Sequence, residues 1–309
     1  MRNDWHPQPL SCWPLLLLAL AACSGLPTSV SESDVLPKAP LATLDGTTRH
    51  RIVSEEIGQV FSIDVWQPIG MAGPHPVVYV LDGNTSFAMA SQIVIPMMWA
   101  GQIPPVVVVG IGYEVDSPME VAVLRSRDFL PDTERGFEER MEALGWAVPE
   151  GVEPGGANAF LSFIESEVKP LVEARYPVDA SNETLVGYSY GGTFATHVLL
   201  SSTDSFDRYV IGSPVLTRAE GQLFADEAAY AAKSSDMAVK LFLSAGEYEI
   251  ENGILEATTR LMKVLAGRSY KGLALKTHVF PEETHESAIG PTISRGLRAV
   301  FGTWPREPR

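Results

Sequence analysis

Residues 184–200 read Thr-Leu-Val-Gly-Tyr-Ser-Tyr-Gly-Gly-Thr-Phe-Ala-Thr-His-Val-Leu-Leu. An apolar run of strand type over 184–187 is followed at once by the glycine-rich Gly187-Tyr188-Ser189-Tyr190-Gly191-Gly192 and then by a helical pattern over 193–200. Strand, sharp turn and helix with a serine at the apex form a nucleophile elbow, which lifts the serine hydroxyl above the end of a sheet. So tight a turn requires small residues two positions either side of the serine, and glycine occupies both. The amide of Tyr190, at the helix start, is placed to donate to an oxyanion.

Outward from the elbow, further apolar runs at 76–81, 106–111, 208–211 and 239–244 alternate with helical patterns at 159–176, 192–200, 224–233, 254–265 and 293–300, and a last strand falls at 273–280. That alternation predicts βαβ units and a mostly parallel sheet, whose near-continuous apolar strands are buried on both faces. Residues 49–66 predict an antiparallel hairpin at the sheet edge. Pro170 is expected to kink or restart its helix. The segment 114–158 is a long insertion of the kind that forms a lid or pocket wall.

A serine nucleophile needs a base, in the chain order serine, acid, histidine. Of six histidines, His50 and His75 precede the elbow, and His197 lies eight residues along its helix, about 12 Å away at 1.5 Å per residue. His278 reads as a strand residue, which leaves His285 in the loop Pro281-Glu282-Glu283-Thr284-His285. The acid is sought after the strand that ends at Gly246. There Glu249 leads because it can fold back toward the base, Glu247 is the alternative and Glu251 comes third; a Ser-His dyad without an acid also stays open. A second oxyanion donor is expected from the turn Leu81-Asp82-Gly83-Asn84, through the amide of Asn84 or Gly83. Asp82 itself reads as a turn-forming side chain.

The chain has 309 residues, with 23 Lys+Arg against 38 Asp+Glu for a net charge of −15. No basic face is available to neutralise phosphates, so a nucleic-acid partner is not expected, and docking on anionic lipid is disfavoured. No His-Glu-x-x-His, clustered cysteine or phosphate loop is visible, so neither metal nor other cofactor is expected.

Residues 1–22 combine a short polar start with an apolar stretch too short to span a bilayer, and Leu20-Ala21-Ala22-Cys23 has the form of a lipoprotein cleavage box. Cys23 is then the lipidated first residue, 23–40 a tether and 41–309 a single domain. Cys12 leaves with the signal, so no pair of cysteines remains for a disulfide. By resemblance, Ser24 after the lipidated cysteine points to the outer membrane of a Gram-negative envelope, on the periplasmic side, with membrane contact only through the anchor.

The chain resembles the putative-esterase branch of the α/β hydrolases, which contains enterochelin-type siderophore esterases, feruloyl esterases, esterase D and the mycolyltransferases. The carriers of the likeness, from about residue 51 onward, are the Val-Tyr-Val-Leu-Asp-Gly-Asn turn, Arg125-Ser126-Arg127-Asp128-Phe129-Leu130-Pro131, the Phe163-Ile164-x-x-Glu167-Val168-x-Pro170 helix, the elbow, Ala245-Gly246-Glu247-Tyr248-Glu249 and the late His285. The resemblance implies an α/β-hydrolase fold with helices on both faces of the sheet and a serine carboxylesterase. In it Ser189 attacks an ester carbonyl, His285 shuttles the proton, and the amides of Tyr190 and Asn84 hold the oxyanion. Arg125 and Arg127 become candidates for the substrate pocket, against the alternative of ion pairs with Asp128 or an insertion glutamate. The expected partner is a small ester, of siderophore or simple acyl type. Acyl transfer on the same fold, or an inactive surface-binding protein, are the other readings.

Overall fold

In a computed structural model, residues 44–132, 136–218 and 220–302 are described; the stretches read as signal peptide and tether, with Cys23, lie outside them. Among the described residues, eight strands form one sheet. They are β1 (Thr47–Val53), β2 (Val60–Trp66), β3 (His75–Val80), β4 (Val107–Tyr113), β5 (Val178–Tyr188), β6 (Arg208–Gly212), β7 (Lys240–Gly246) and β8 (Ala274–Phe280), in the order β1-β2-β4-β3-β5-β6-β7-β8. β1 runs antiparallel to β2, and β2 to β4; every later pair is parallel. The edge hairpin and the parallel sheet are therefore as the patterning predicts, and the architecture is that of an α/β hydrolase.

Alternation along the strands divides the core in two. Tyr79, Val109, Leu185 and Leu243 face one side, where they meet Phe160, Phe163, Phe194 and Leu199. Those partners come from α4 (Ala157–Phe163) and α6 (Tyr190–Ser201). Val78, Val80, Val186 and Val210 face the other side, against Phe87, Val94, Ile293 and Leu297 of α1 (Gly83–Trp99) and α9 (Ile289–Phe301). All seven residues of β4 are buried. The remaining helices are α2 (Pro118–Phe129), α3 (Phe137–Ala143), α5 (Lys169–Arg175), α7 (Glu220–Lys233) and α8 (Ile254–Arg268).

The helix expected over 159–176, with Pro170 to kink or restart it, is α4, then a π-type turn over Ile164–Val168, then α5 from Lys169. Pro170 has no N–H to give and its ring crowds the preceding carbonyls, so the widened turn just before it absorbs the mismatch. β5 begins at Val178 rather than Thr184, because the mainly polar residues 179–183 continue the strand past a bulge opposite His75 and Val77. The helix α1 has no counterpart in the reading at all. It opens on Gly83, contains Pro96 and is apolar nearly all round, burying Phe87, Ala90, Val94, Met97 and Met98, so no amphipathic period marks it.

The insertion is not an appendage: Val123, Leu124, Phe129, Phe137, Met141 and Val152 are all buried in the core that includes Phe160 and Phe194. α2 starts where Ser117 Oγ accepts the Glu120 amide at 3.4 Å and Pro118 takes the first helical position. This helix lies beside the elbow and forms one wall of the cleft described next.

Candidate active site

β5 delivers Ser189 with φ 59° and ψ −123°, a left-side conformation that a serine holds only under constraint. The constraint is visible: the Ser189 amide donates to the Gly212 carbonyl at 3.0 Å, and its own carbonyl accepts from Thr193 at 3.0 Å and Val215 at 3.4 Å. The two glycines flanking the turn are not equivalent. A Cβ on Gly187 would overlap the Gly191 carbonyl oxygen, part of the backbone itself, whereas one on Gly191 would lie 3.2 Å from an Asp82 carboxylate oxygen. Gly187→Ala is therefore expected to lose at least about 2 kcal/mol of stability, and Gly191→Ala less. Urea midpoints of the two variants check this, and equal midpoints would contradict it.

His285 sits in the loop after β8, with its side chain 25% exposed, and its Nδ1 lies 2.6 Å from Glu249 Oε1. Glu249 is buried, and its second oxygen accepts the Gly246 amide at 2.7 Å. The carboxylate is thus shared between the end of β7 and the imidazole, which orients the ring with Nε2 directed away from the acid. Glu247 and Glu251 are both exposed, and Glu247 accepts the Glu282 amide at 2.9 Å instead. Backbone bonds from Glu247 to Phe280 and from Tyr248 to Glu283 lash the acid loop to the histidine loop.

Tyr188, one residue before the serine, donates its hydroxyl to the His285 carbonyl at 2.5 Å and lies with its ring 5.2 Å from the imidazole. Burial raises the Tyr188 phenol above its ordinary range, which keeps it a donor. Nothing in the sequence distinguishes this tyrosine from its neighbour Tyr190. The other histidines among the described residues are engaged elsewhere: His278 Nε2 meets Arg295 at 3.1 Å, His50 Nε2 meets the Tyr176 hydroxyl at 2.6 Å, His197 Nε2 meets Asn158 at 2.9 Å, and His75 Nε2 meets the Met71 carbonyl at 3.4 Å.

Ser189 and Tyr188 line a cleft of about 280 Å³ whose walls include Pro118, Val121, Ala122 and Ile289, with Asp82 and Arg125 as its charged members. Arg125 donates to Asp82 through Nε at 2.6 Å and Nη2 at 2.7 Å. Asp82 is thus not the self-bonding turn residue of the sequence reading: its side chain caps nothing and receives the arginine. Arg127 is bound to Asp128 at 2.7 and 2.9 Å. The same carboxylate accepts the Tyr113 hydroxyl at 3.0 Å, and burial, then the nearby Asp128 and Asp82 charges, hold that phenol far above 10. The structure brings Arg125 to the serine's cleft and commits Arg127 to this network.

At the start of α1, the Thr85 and Ser86 amides close on the Asp82 carbonyl at 3.0 and 2.9 Å. The amides of Gly83 and Asn84 precede any intrahelical acceptor, as does that of Tyr190 at the start of α6. Two helix N-termini thus offer donors around the cleft, a ready electrostatic environment for a developing oxyanion. The Asn84 side chain is bonded twice to the Tyr113 backbone, at 2.8 and 2.7 Å, which fixes this turn against the end of β4.

Comparison with known proteins places the chain in context. Residues 54–240 match the family described as "Putative esterase". The ferri-bacillibactin esterase BesA of Bacillus subtilis (strain 168) is 31% identical, over 86% of this chain and 92% of its own. A siderophore triacetylfusarinine C esterase of Aspergillus fumigatus is 30% identical, over 75% of this chain and 84% of its own. The crystal structure of a BES protein from Bacillus cereus matches with a TM-score of 0.74 at 24% identity, covering 86% of this chain and 98% of that one.

Proposed function

The chain belongs to the putative-esterase family and is a serine-type carboxylesterase, and from that premise we propose that it opens the ester bonds of siderophores. Ser189 is the nucleophile, His285 the base and Glu249 the acid that orients it. His285 Nε2 takes the serine proton as Oγ attacks the ester carbonyl, and the amides of Tyr190 and Asn84 receive the oxyanion. The imidazolium, stabilised by Glu249, then protonates the leaving alcohol. Water, deprotonated by the same imidazole, releases the acyl group and restores Ser189. The apolar wall of Pro118, Val121, Ala122 and Ile289 accommodates the uncharged part of the acyl group.

The observation that carries the mechanism is the 2.6 Å bond between His285 and the buried Glu249, because it directs the opposite ring nitrogen outward as a base. The relatives supply the substrate class, since two that are 31% and 30% identical are both named for siderophore ester cleavage. The test is incubation with a macrocyclic tri-ester siderophore, iron-free and iron-loaded, with products separated by mass. Linear and monomeric products made by the parent and absent with Ser189→Ala are expected. Hydrolysis of simple p-nitrophenyl esters without any siderophore cleavage would reduce the assignment to a plain acyl esterase.

The charge of −15 bears on which form is taken. A polyanionic ferric complex is repelled at long range, and salt screens that repulsion. Raising ionic strength from about 0.01 M to about 0.3 M is expected to increase kcat/KM for the ferric complex by ~3-fold. The iron-free ester, neutral at pH 7, should change little. A ferric substrate whose rate falls with salt would mean that local positive potential outweighs the global charge.

The cell-envelope assignment rests on Leu20-Ala21-Ala22-Cys23: the mature protein is lipidated on Cys23 and held at the outer membrane, facing the periplasm. Metabolic labelling with a palmitate analogue should mark the protein, and a label that persists in Cys23→Ala would sink this.

A further inference from the structure

Arg125 is the cation that lines the serine's cleft, and its obvious role would be to attract an anionic substrate. Its contacts indicate a different one. Both Nε and Nη2 are spent on Asp82, at 2.6 and 2.7 Å, so the pair presents little net charge to the cleft. The side chains are only 18% and 12% exposed. The guanidinium carbon also lies 5.1 Å from the centre of the Tyr190 ring and 5.4 Å from that of Phe129. One arginine thus touches Asp82, in the β3–α1 turn, through its N–H edge, and the ring of the residue that follows the nucleophile through a cation–π contact.

Those two contacts coincide with the two arms of the oxyanion site. Asp82 has φ 55° and ψ 45°, a left-handed conformation that a non-glycine residue keeps only when its surroundings hold it. Its carbonyl starts α1 by accepting from Thr85 and Ser86, so the geometry of Asp82 sets where the Asn84 amide falls. Tyr190 carries the other amide. We propose that Arg125 is a positioning residue: by gripping the Asp82 carboxylate and stacking on the Tyr190 ring, it holds the two oxyanion donors at the spacing the tetrahedral intermediate needs. The inference rests on the serine-esterase reading and deepens it, since it assigns the insertion helix α2 a part in the chemical step.

A lysine cannot reproduce a planar, two-pronged grip or the same stacking, so the variants are Arg125→Lys, Arg125→Met and Asp82→Asn. Each is assayed on neutral p-nitrophenyl acetate and on an anionic carboxylated phenyl ester, with active sites counted by fluorophosphonate. Loss of kcat by ~100-fold is expected, with KM for both esters within ~3-fold of the parent. Affinity for a trifluoromethyl ketone, which forms the tetrahedral oxyanion on the serine, should fall in proportion to kcat/KM. A rise in KM confined to the anionic ester would overturn the inference and make Arg125 a substrate counter-ion. A drop in thermal midpoint with parental kcat per titrated site would overturn it in favour of a structural ion pair. An active parent with an unaffected Arg125→Lys sinks this inference alone. A parent that neither turns over esters nor takes the fluorophosphonate sinks the esterase reading with it.

Discussion

Ser189→Ala is expected to lower kcat for every ester substrate by on the order of 10⁶-fold, with KM and thermal midpoint close to the parent's. The alanine keeps the elbow's backbone bonds to Gly212, Thr193 and Val215, none of which uses the hydroxyl. What disappears is the hydroxyl that forms the covalent intermediate in the proposed mechanism. The amides at the two helix N-termini remain, so a residue of catalysis over bulk water, about 10³-fold, should persist. The measurement is single-turnover and steady-state hydrolysis of p-nitrophenyl acetate beside fluorophosphonate labelling. Turnover within tenfold of the parent would show that another group attacks the ester.

The second large effect concerns Glu249. Its two carboxylate oxygens have different partners, the Gly246 amide and His285 Nδ1. In Glu249→Gln the carbonyl oxygen can satisfy Gly246, which turns the amide NH₂ toward Nδ1 and forces that nitrogen to become an acceptor. The imidazole proton then sits on Nε2, where a base must be empty. A loss of kcat by about 10³- to 10⁴-fold follows from the wrong tautomer. Glu247→Gln, whose carboxylate faces solvent and bonds the Glu282 amide, should stay within about threefold. If the two variants behave alike, catalysis runs through a Ser-His dyad and Glu249 serves only to close the β7 turn.

The elements that carry apolar runs or glycine punctuation are legible in the sequence itself. Strand runs around Val78, Val108 and Leu243 announce themselves because burial on both faces removes polar residues from them. The elbow is legible because its turn tolerates so few residue types. α1 escapes for the opposite reason: wedged between sheet and α9, it has no polar face to give a period, and Gly83 and Pro96 imitate a loop. Among site residues, the order of Ser189, Glu249 and His285 along the chain narrows the choice. The preference for Glu249 over Glu247 depends on which side chain turns inward past Gly246, a matter of one residue's phase. The pairing of Arg125 with Asp82 spans 43 positions and two elements. Neither residue reveals its partner through local pattern, and the carboxylate that looked self-sufficient in its turn is the anchor of another helix.

The sheet order has a consequence in time as well as space. Ser189 stands at the end of central β5, while Glu249 and His285 follow β7 and β8, the last strands to be made and the pair farthest from the antiparallel edge. As the chain is synthesised, the nucleophile exists long before the groups that would activate it, and contacts so distant along the chain are slow to close. On the proposed mechanism, the unfinished chain therefore carries its nucleophile without base or acid. Turnover is then expected only once the β7–β8 edge of the sheet has docked, which would make the onset of catalysis a report of that docking.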